Sequence, residues 1–175
     1  MTSHAPRVRH VRGGDWDTIV ALESAAYTPL GLSEGRAALE SRVKASPATC
    51  FVLDVGERAA GYLLALPYPM FRYPDLTRAE STVARTGNLH LHDLVVAEDL
   101  RGSGLATALL GRLFATARSH EFATVSLVAV GDSAPFWAGR GFTAHPDVAP
   151  PEGYGPGARY MSRPVPVEIV TGAAV

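Results

Sequence analysis

Residues 94–106, read in order as Leu94, Val95, Val96, Ala97, Glu98, Asp99, Leu100, Arg101, Gly102, Ser103, Gly104, Leu105 and Ala106, constrain this chain more than any other stretch. An apolar strand runs into a turn with two glycines. The turn opens directly onto an amphipathic helix that carries Leu105, Leu109, Leu113 and Phe114 on or near one face. Gly102 and Gly104 let the backbone curl with its N–H groups inward, and their lack of a Cβ lets a ligand come close. The helix start adds N–H donors without helical acceptors and the positive end of the helix dipole. Such an assembly suits a pyrophosphate. It has neither the lysine of a nucleoside-triphosphate loop nor the third glycine of a dinucleotide fingerprint. Taken alone, a glycine turn before a helix is also common structural punctuation.

The rest of the chain supplies a mixed pattern. Val8–Val11 reads as a strand and Asp15–Tyr27 as a helix that Asp15 could cap. Ser33 is expected to cap a second helix that ends near Ala45. Strands follow at Cys50–Asp54 and Ala59–Leu66, joined through the hairpin-like Val55-Gly56-Glu57-Arg58. Leu89–Val96 is a strand, Gly104–Ser119 a helix and Thr124–Val130 an apolar strand. Asp132 or Ser133 caps a short helix through Ala138, Phe142–His145 begins another strand, and Arg159–Arg163 reads as the last. Between Pro67 and Asn88 lies an insertion with aromatics Tyr68, Phe71 and Tyr73 and a charged stretch that could be helical; it reads either as a lid or pocket wall, or as a plain packed loop. Early hairpins and a late strand–helix–strand unit give an α/β fold.

A length of 175 residues suits one domain, 1–175, with a core over residues 8–163 and a tail over 164–175. Sixteen Lys and Arg oppose seventeen Asp and Glu, so no broad nucleic-acid footprint is expected. No stretch approaches the ~20 apolar residues of a membrane span, and Met1–His10 carries no apolar leader core, so a cytoplasmic location is expected. The lone Cys50 lies in an apolar run and reads as a buried structural thiol.

His90 and His92 stand two apart on the strand before the glycine turn, so regular alternation sends both side chains to one face, continuing through Leu94, with Asp93 on the other. With an ordinary pKa of ~6.5, a histidine is poised to take a proton from a group such as an amine. A satisfied structural pair is a second reading. A metal site is a third, although His120 and His145 are isolated and no further ligand stands at readable spacing, so no metal is assigned.

The run Arg101-x-x-Gly104-x-Ala106 after a Leu-x-Val strand resembles the acyl-CoA loop of the GNAT superfamily of N-acetyltransferases, and Pro135-Phe136-Trp137-Ala138-Gly139-Arg140-Gly141-Phe142 resembles that family's Phe-Tyr-x-x-x-Gly-Phe segment. Leu89-His90-Leu91-His92, Pro135-Phe136 and Pro29-Leu30 look most like the arylalkylamine (serotonin-type) subgroup. The resemblance implies a single domain with a mixed, mostly antiparallel central sheet flanked by helices, and a splayed strand pair that takes the acyl-CoA. It implies that main-chain groups of Leu94 and Val96, with Val95 between them, pair with the pantetheine arm. N–H groups from Arg101 through Gly102, Ser103, Gly104 and Leu105 to Ala106 would hold the pyrophosphate, and Ser133, Phe136 and Trp137 would lie near the thioester. His90 and His92 would serve as base or proton relay. Tyr27, Pro29, Leu30, Tyr68 and Phe71 would meet a small primary amine, with acetyl-CoA or another short acyl-CoA as donor.

The pattern departs at two places. Trp137 stands where the family often has a tyrosine, and an indole N–H is not a conventional general acid. Tyr27, Tyr154, Tyr160, Ser133 or a water could substitute. Val130 stands where the family often has an asparagine. A non-catalytic acyl-CoA sensor, and an acyl-CoA hydrolase or decarboxylase, are the rival readings; a homodimer is left open.

Overall fold

The strands Phe51–Val55 (β2) and Arg58–Pro67 (β3) are apolar on both sides because both faces of the sheet they join are covered. In the computed structural model, which describes residues 5–149 and 151–167, Phe51, Leu53, Leu63 and Ala65 face one hydrophobic cluster, while Cys50, Val52, Tyr62 and Leu64 face another. Helix α3, Leu105–Ser119, covers the first face with Leu105, Leu109, Leu110, Leu113, Phe114 and Ala117. Helices α1 (Trp16–Tyr27) and α2 (Arg36–Ala45) cover the second with Trp16, Ile19 and Leu39.

The other strands are β1 (Arg7–His10), β4 (Asn88–Val96), β5 (Thr124–Ala129), β6 (Thr143–Ala144) and β7 (Arg159–Pro164), with the short helix α4 at Ala134–Ala138. They form one seven-stranded sheet in the order β1-β2-β3-β4-β5-β7-β6. All neighbours run antiparallel except β4 and β5 at the centre. The α/β architecture with a mixed, mostly antiparallel sheet is therefore as the sequence led us to expect. Residues 168–175, most of the expected tail, lie outside the described residues.

Some local expectations change. Ser33 does not cap α2, whose N-cap is Gly35 without a side-chain bond; its hydroxyl instead donates to Glu23 at 2.8 Å. Asp15 does not cap α1 with its side chain. Its carboxylate accepts from the Arg9 guanidinium and the Arg12 N–H, tying β1 to the helix start. Residues 68–87 contain neither helix nor strand. They are pinned to the body at several points: Phe71 N–H donates to the Tyr160 hydroxyl at 2.9 Å, Tyr154 donates to the Pro74 carbonyl, and Glu80 N–H donates to Ser41 Oγ at 2.8 Å. Arg42 adds bonds to the carbonyls of Asp75 and Arg78.

One irregularity matters for the site. In the β3–β4 ladder Leu64 pairs with Asp93 but Ala65 pairs with Leu91, leaving His92 as an extra residue on β4. This bulge resets the alternation. Leu91 and Leu94, which regular alternation would separate, both pack on the α3 side, while Asp93 and Val95 turn to the α1/α2 side. Asp93 thus shares the side that holds His92, not the opposite one, and Leu94 leaves the histidine face.

Candidate active site

The central strands β4 and β5 pair only from Asn88–Thr124 to Leu91–Leu127. Beyond that point β4 continues to Val96 and β5 to Ala129 without pairing to each other, so the sheet splays. The opening forms a cleft of about 810 Å³. Leu94, Val95 and Val96 line one wall, and Arg101, Gly102, Gly104, Leu105 and Ala106 line the end where α3 begins. Ser133, Phe136 and Trp137 line the side below α4, and Tyr27 and Leu30 close it from the α1 side beside His92.

The end of the cleft has the features of an anion cradle. Gly102 and Gly104 both have left-handed backbones, φ 79° and 82°, and the space where their Cβ atoms would stand is open. The first bond into α3 runs from Ala108 N–H to the Gly104 carbonyl, so the N–H groups ahead of it lack helical acceptors. Arg101 Nε donates to the Val96 carbonyl at 3.3 Å and holds the turn against the strand end. Ser103 is exposed, donates to the Leu100 carbonyl and does not line the cleft. A pyrophosphate fits these donors, and an extended thiol arm fits the unpaired strand edge leading away from them.

Two histidines that look alike in sequence occupy different surroundings. The His90 ring is buried, with Nδ1 2.9 Å from Ser126 Oγ and its plane stacked against Tyr160. Burial, with smaller effects from His92 and Arg42, pushes its pKa down to about 3, so it stays neutral. It does not line the cleft. His92 does, and its Nε2 lies 2.6 Å from Glu34 Oε2. Its other ring nitrogen, Nδ1, is buried and has no hydrogen-bond partner among the described residues. Burial acts to lower the His92 pKa, but the carboxylates of Asp93 and Glu34 outweigh it and raise it above the ordinary histidine value.

Glu34 was not foreseen from the sequence, where Ser33 reads as a helix cap and Glu34 as part of the first turn behind it; it stands instead ahead of α2. It is fixed from two sides. Its N–H donates to Glu23 Oε1 at 2.7 Å, and its Oε1 accepts from Arg42 Nη2 at 2.7 Å. Burial works to raise its pKa, yet His92 and Arg42 together hold it below the ordinary glutamate value. Asp93, also unforeseen, accepts from the Tyr62 hydroxyl at 3.0 Å, and burial pushes its pKa up to about 6. Glu34, His92 and Asp93 offer ligand atoms within 4.8 Å of one another. The Arg42 guanidinium already supplies the positive charge there, and Glu34 spends one oxygen on it and the other on His92.

Of the hydroxyls considered as proton donors, Tyr27 and Ser133 line the cleft. Burial, then the charges of Asp93, Glu23 and Glu34, push the Tyr27 hydroxyl well above its usual range, which keeps it protonated. Ser133 donates to the Val130 carbonyl at 2.7 Å. Tyr154 and Tyr160 are engaged with Pro74 and Phe71, away from the cleft. Trp137 is packed edge-on against Phe136 and Phe142. Of the residues expected at the acceptor, Tyr27 and Leu30 are brought to the cleft. Pro29 is exposed beside it, Tyr68 lines a separate small pocket of about 180 Å³, and Phe71 packs on Tyr160 and His145.

The sequence model of the Acetyltransferase (GNAT) family matches residues 16–142, well over half of the chain. The chain belongs to that family. No curated protein gives a significant sequence match. Among solved structures the GNAT fold recurs in Ard1 from Thermoplasma volcanium, at 19% identity and a TM-score of 0.71 over 93% of this chain and 99% of that one. It recurs in the GphF GNAT-like decarboxylase in complex with isobutyryl-CoA, at 22% identity and 0.71 over 91% and 100%. N-acetylglutamate synthase from Neisseria gonorrhoeae, complexed with coenzyme A and N-acetyl-glutamate, matches at 17% identity and 0.72 over 95% of this chain but only 36% of that one. At these identities the likeness is one of fold. Among the described residues, no helix is long and apolar enough to cross a membrane.

Proposed function

We propose that this GNAT protein is an acyl-CoA-dependent N-acyltransferase that moves an acetyl group from acetyl-CoA to a small primary amine. The observation that carries the reading is one continuous cleft with an anion cradle at Gly102–Ala106 and a histidine, His92, on its wall. The first feature suits the pyrophosphate of coenzyme A, the second the amine. A primary amine has a pKa of ~10 and arrives protonated, so it attacks a thioester only after losing a proton. His92, directly or through a water, takes that proton. The unpaired edge of β4 from His92 to Val96 orients the acyl arm. Tyr27, whose hydroxyl stays protonated, serves the departing thiolate as a hydrogen-bond donor while the thiolate takes its proton from the imidazolium or water. His90 supports the strand from behind.

The charge beside His92 favours an amine over the rival chemistries. Glu23, Glu34 and Asp93 are buried carboxylates on that side, with Arg42 as the buried cation among them. A surplus of negative charge attracts an ammonium and opposes the free carboxylate that an acyl group must carry before it can be decarboxylated. Ala26, Tyr27 and Leu30 add apolar surface, which supports an aromatic or apolar amine such as the arylalkylamine subgroup uses.

Thiol release from acetyl-CoA, followed with an arylethylamine, a polyamine, a peptide amine and an amino acid, tests the proposal. Amine-dependent release that His92→Ala abolishes is the expected result. Release without any amine would replace the proposal with hydrolysis or decarboxylation. Tight acetyl-CoA binding with no release on any amine would make the protein a sensor.

A further inference from the structure

Taking His92 as the base, we infer that Glu34 is its positioning residue: the carboxylate holds the proton of the neutral imidazole on Nε2 and leaves the Nδ1 lone pair for the amine. The inference rests on the functional reading above and adds a residue to it. Glu34 Oε2 lies 2.6 Å from His92 Nε2, and both side chains are nearly sealed from solvent, at 2% and 1% exposure. A carboxylate can only accept, so a neutral His92 bonded to it has to carry its hydrogen on Nε2. Nδ1, the nitrogen that stays bare, is buried and without a partner among the described residues, so the amine proton reaches it once the substrate or a water enters beside the ring. A carboxylate that fixes a tautomer and steadies the imidazolium formed later is the logic of an acid–histidine dyad.

Glu34 is itself held. Arg42 Nη2 takes Oε1, and Arg42 also pairs with Glu80 and bonds the Asp75 and Arg78 carbonyls, so α2, the 68–87 segment and the base form one hydrogen-bonded unit. The Glu34 main chain is set by Glu23 of α1. The groups that act on the His92 ring are Asp93 on β4, Glu34 ahead of α2 and Arg42 on α2, and the ring acts in turn on His90. Glu23 and Tyr27 on α1, Tyr62 on β3, and Glu80 and Tyr154 beyond them face those carboxylates and the guanidinium. Among all of these, Glu34 is the group hydrogen-bonded to the ring.

Long-range ¹H–¹⁵N correlation of ring-labelled histidines, above the His92 pKa and assigned against His92→Ala, reads the tautomer without any substrate. In the unmodified protein His92 is expected as the Nε2–H form; the Nδ1–H form would overturn the inference. In Glu34→Gln an amide N–H can face Nε2, so the Nδ1–H form is expected to grow. Turnover of acetyl-CoA with 2-phenylethylamine is then expected to fall about 10²-fold in kcat. KM for acetyl-CoA should stay within about twofold, since Glu34 does not line the cleft that ends in the cradle, and the acidic limb of the pH profile should move to lower pH. Glu34→Asp, which keeps the charge, should recover part of kcat. Wild-type tautomer together with wild-type kcat in Glu34→Gln would overturn the inference. Absence of amine-dependent release in the unmodified protein would sink the functional reading instead, with the tautomer spectra still deciding the role of Glu34.

Discussion

Arg42 Nη2 donates to Glu34 Oε1 at 2.7 Å, and the two side chains are 1% and 2% exposed. A buried pair of this kind contributes little net stability relative to a well-packed apolar pair, but removing one partner strands the other charge. Arg42 also holds Glu80 and two carbonyls of the 68–87 segment, so its loss takes the guanidinium from both carboxylates and those carbonyls and leaves Glu34 with His92 alone. Arg42→Met is expected to cost about 3–5 kcal/mol in denaturant unfolding. Limited proteolysis should then cut first within residues 68–87.

Gly61 sits on β3 opposite Val96, against the cleft wall. A Cβ there would stand 2.8 Å from the Val95 carbonyl oxygen and 3.5 Å from Val96 Cα, both main-chain atoms that cannot swing aside. Replacing a strand glycine with alanine otherwise gains stability of roughly 0.5–1 kcal/mol. Here the clash reverses the sign. Gly61→Ala should destabilise by about 1–3 kcal/mol. It should also raise KM for acetyl-CoA several-fold, because the displaced strand edge is the one proposed to bind the acyl arm.

Gly104 poses the opposite case, since no atom of the described residues lies within 4 Å of its would-be Cβ and the constraint is its φ of 82°. A β-branched residue resists that conformation, so Gly104→Val re-forms the turn and disperses the inward N–H groups. The expected outcome is a sharp rise in KM for acetyl-CoA with a modest change in Tm. An unchanged KM would remove the cradle from the proposed acyl-CoA site.

The difference between these two glycines shows what the sequence could carry. The cradle was legible because strand, glycines and helix are contiguous and each follows from a local rule. The strands were legible as short apolar runs, and the mixed sheet was expected from the family resemblance; the strand order itself is a tertiary result. Gly61 gave no such sign, because its constraint is a carbonyl 34 residues further along the chain. The bulge at His92 was hidden too: no Gly or Pro marks it, and strict alternation set Asp93 apart from the histidine face. Glu34 and His92, 58 residues apart, meet only once α2 packs on the sheet. Local chemistry was readable; the support behind the candidate base was made by tertiary packing.

His90 should reveal itself through stability rather than rate. Its pKa is about 3 in the folded protein against an ordinary 6.5, because burial disfavours the charged ring. A depressed histidine contributes stability that is present above pH 6.5 and lost as pH falls towards 3, since the unfolded chain takes up the proton first. At pH 5 the loss amounts to about 2 kcal/mol. His90→Gln, which keeps a polar group near Ser126 without this titration, should show a flatter Tm between pH 7 and pH 5 than the unmodified protein. Parallel Tm curves for the two proteins would refute the burial argument.

His92 should show the reverse pattern, in rate. Its pKa is raised because Asp93 and Glu34 outweigh burial, so the imidazolium persists to higher pH than in an ordinary histidine. A base works only when neutral. kcat/KM is therefore expected to be low in acid and to rise with pH through an apparent pKa above 6.5. The rise belongs to the coupled group of His92, Asp93 and Glu34 rather than to one ring. His92→Ala should lower kcat/KM by about 10²–10⁴ near neutral pH, with partial recovery at high pH where the free amine grows by itself. His90→Gln should keep the wild-type limb. A limb that survives His92→Ala, or an equal loss in both variants, would take the base role away from His92.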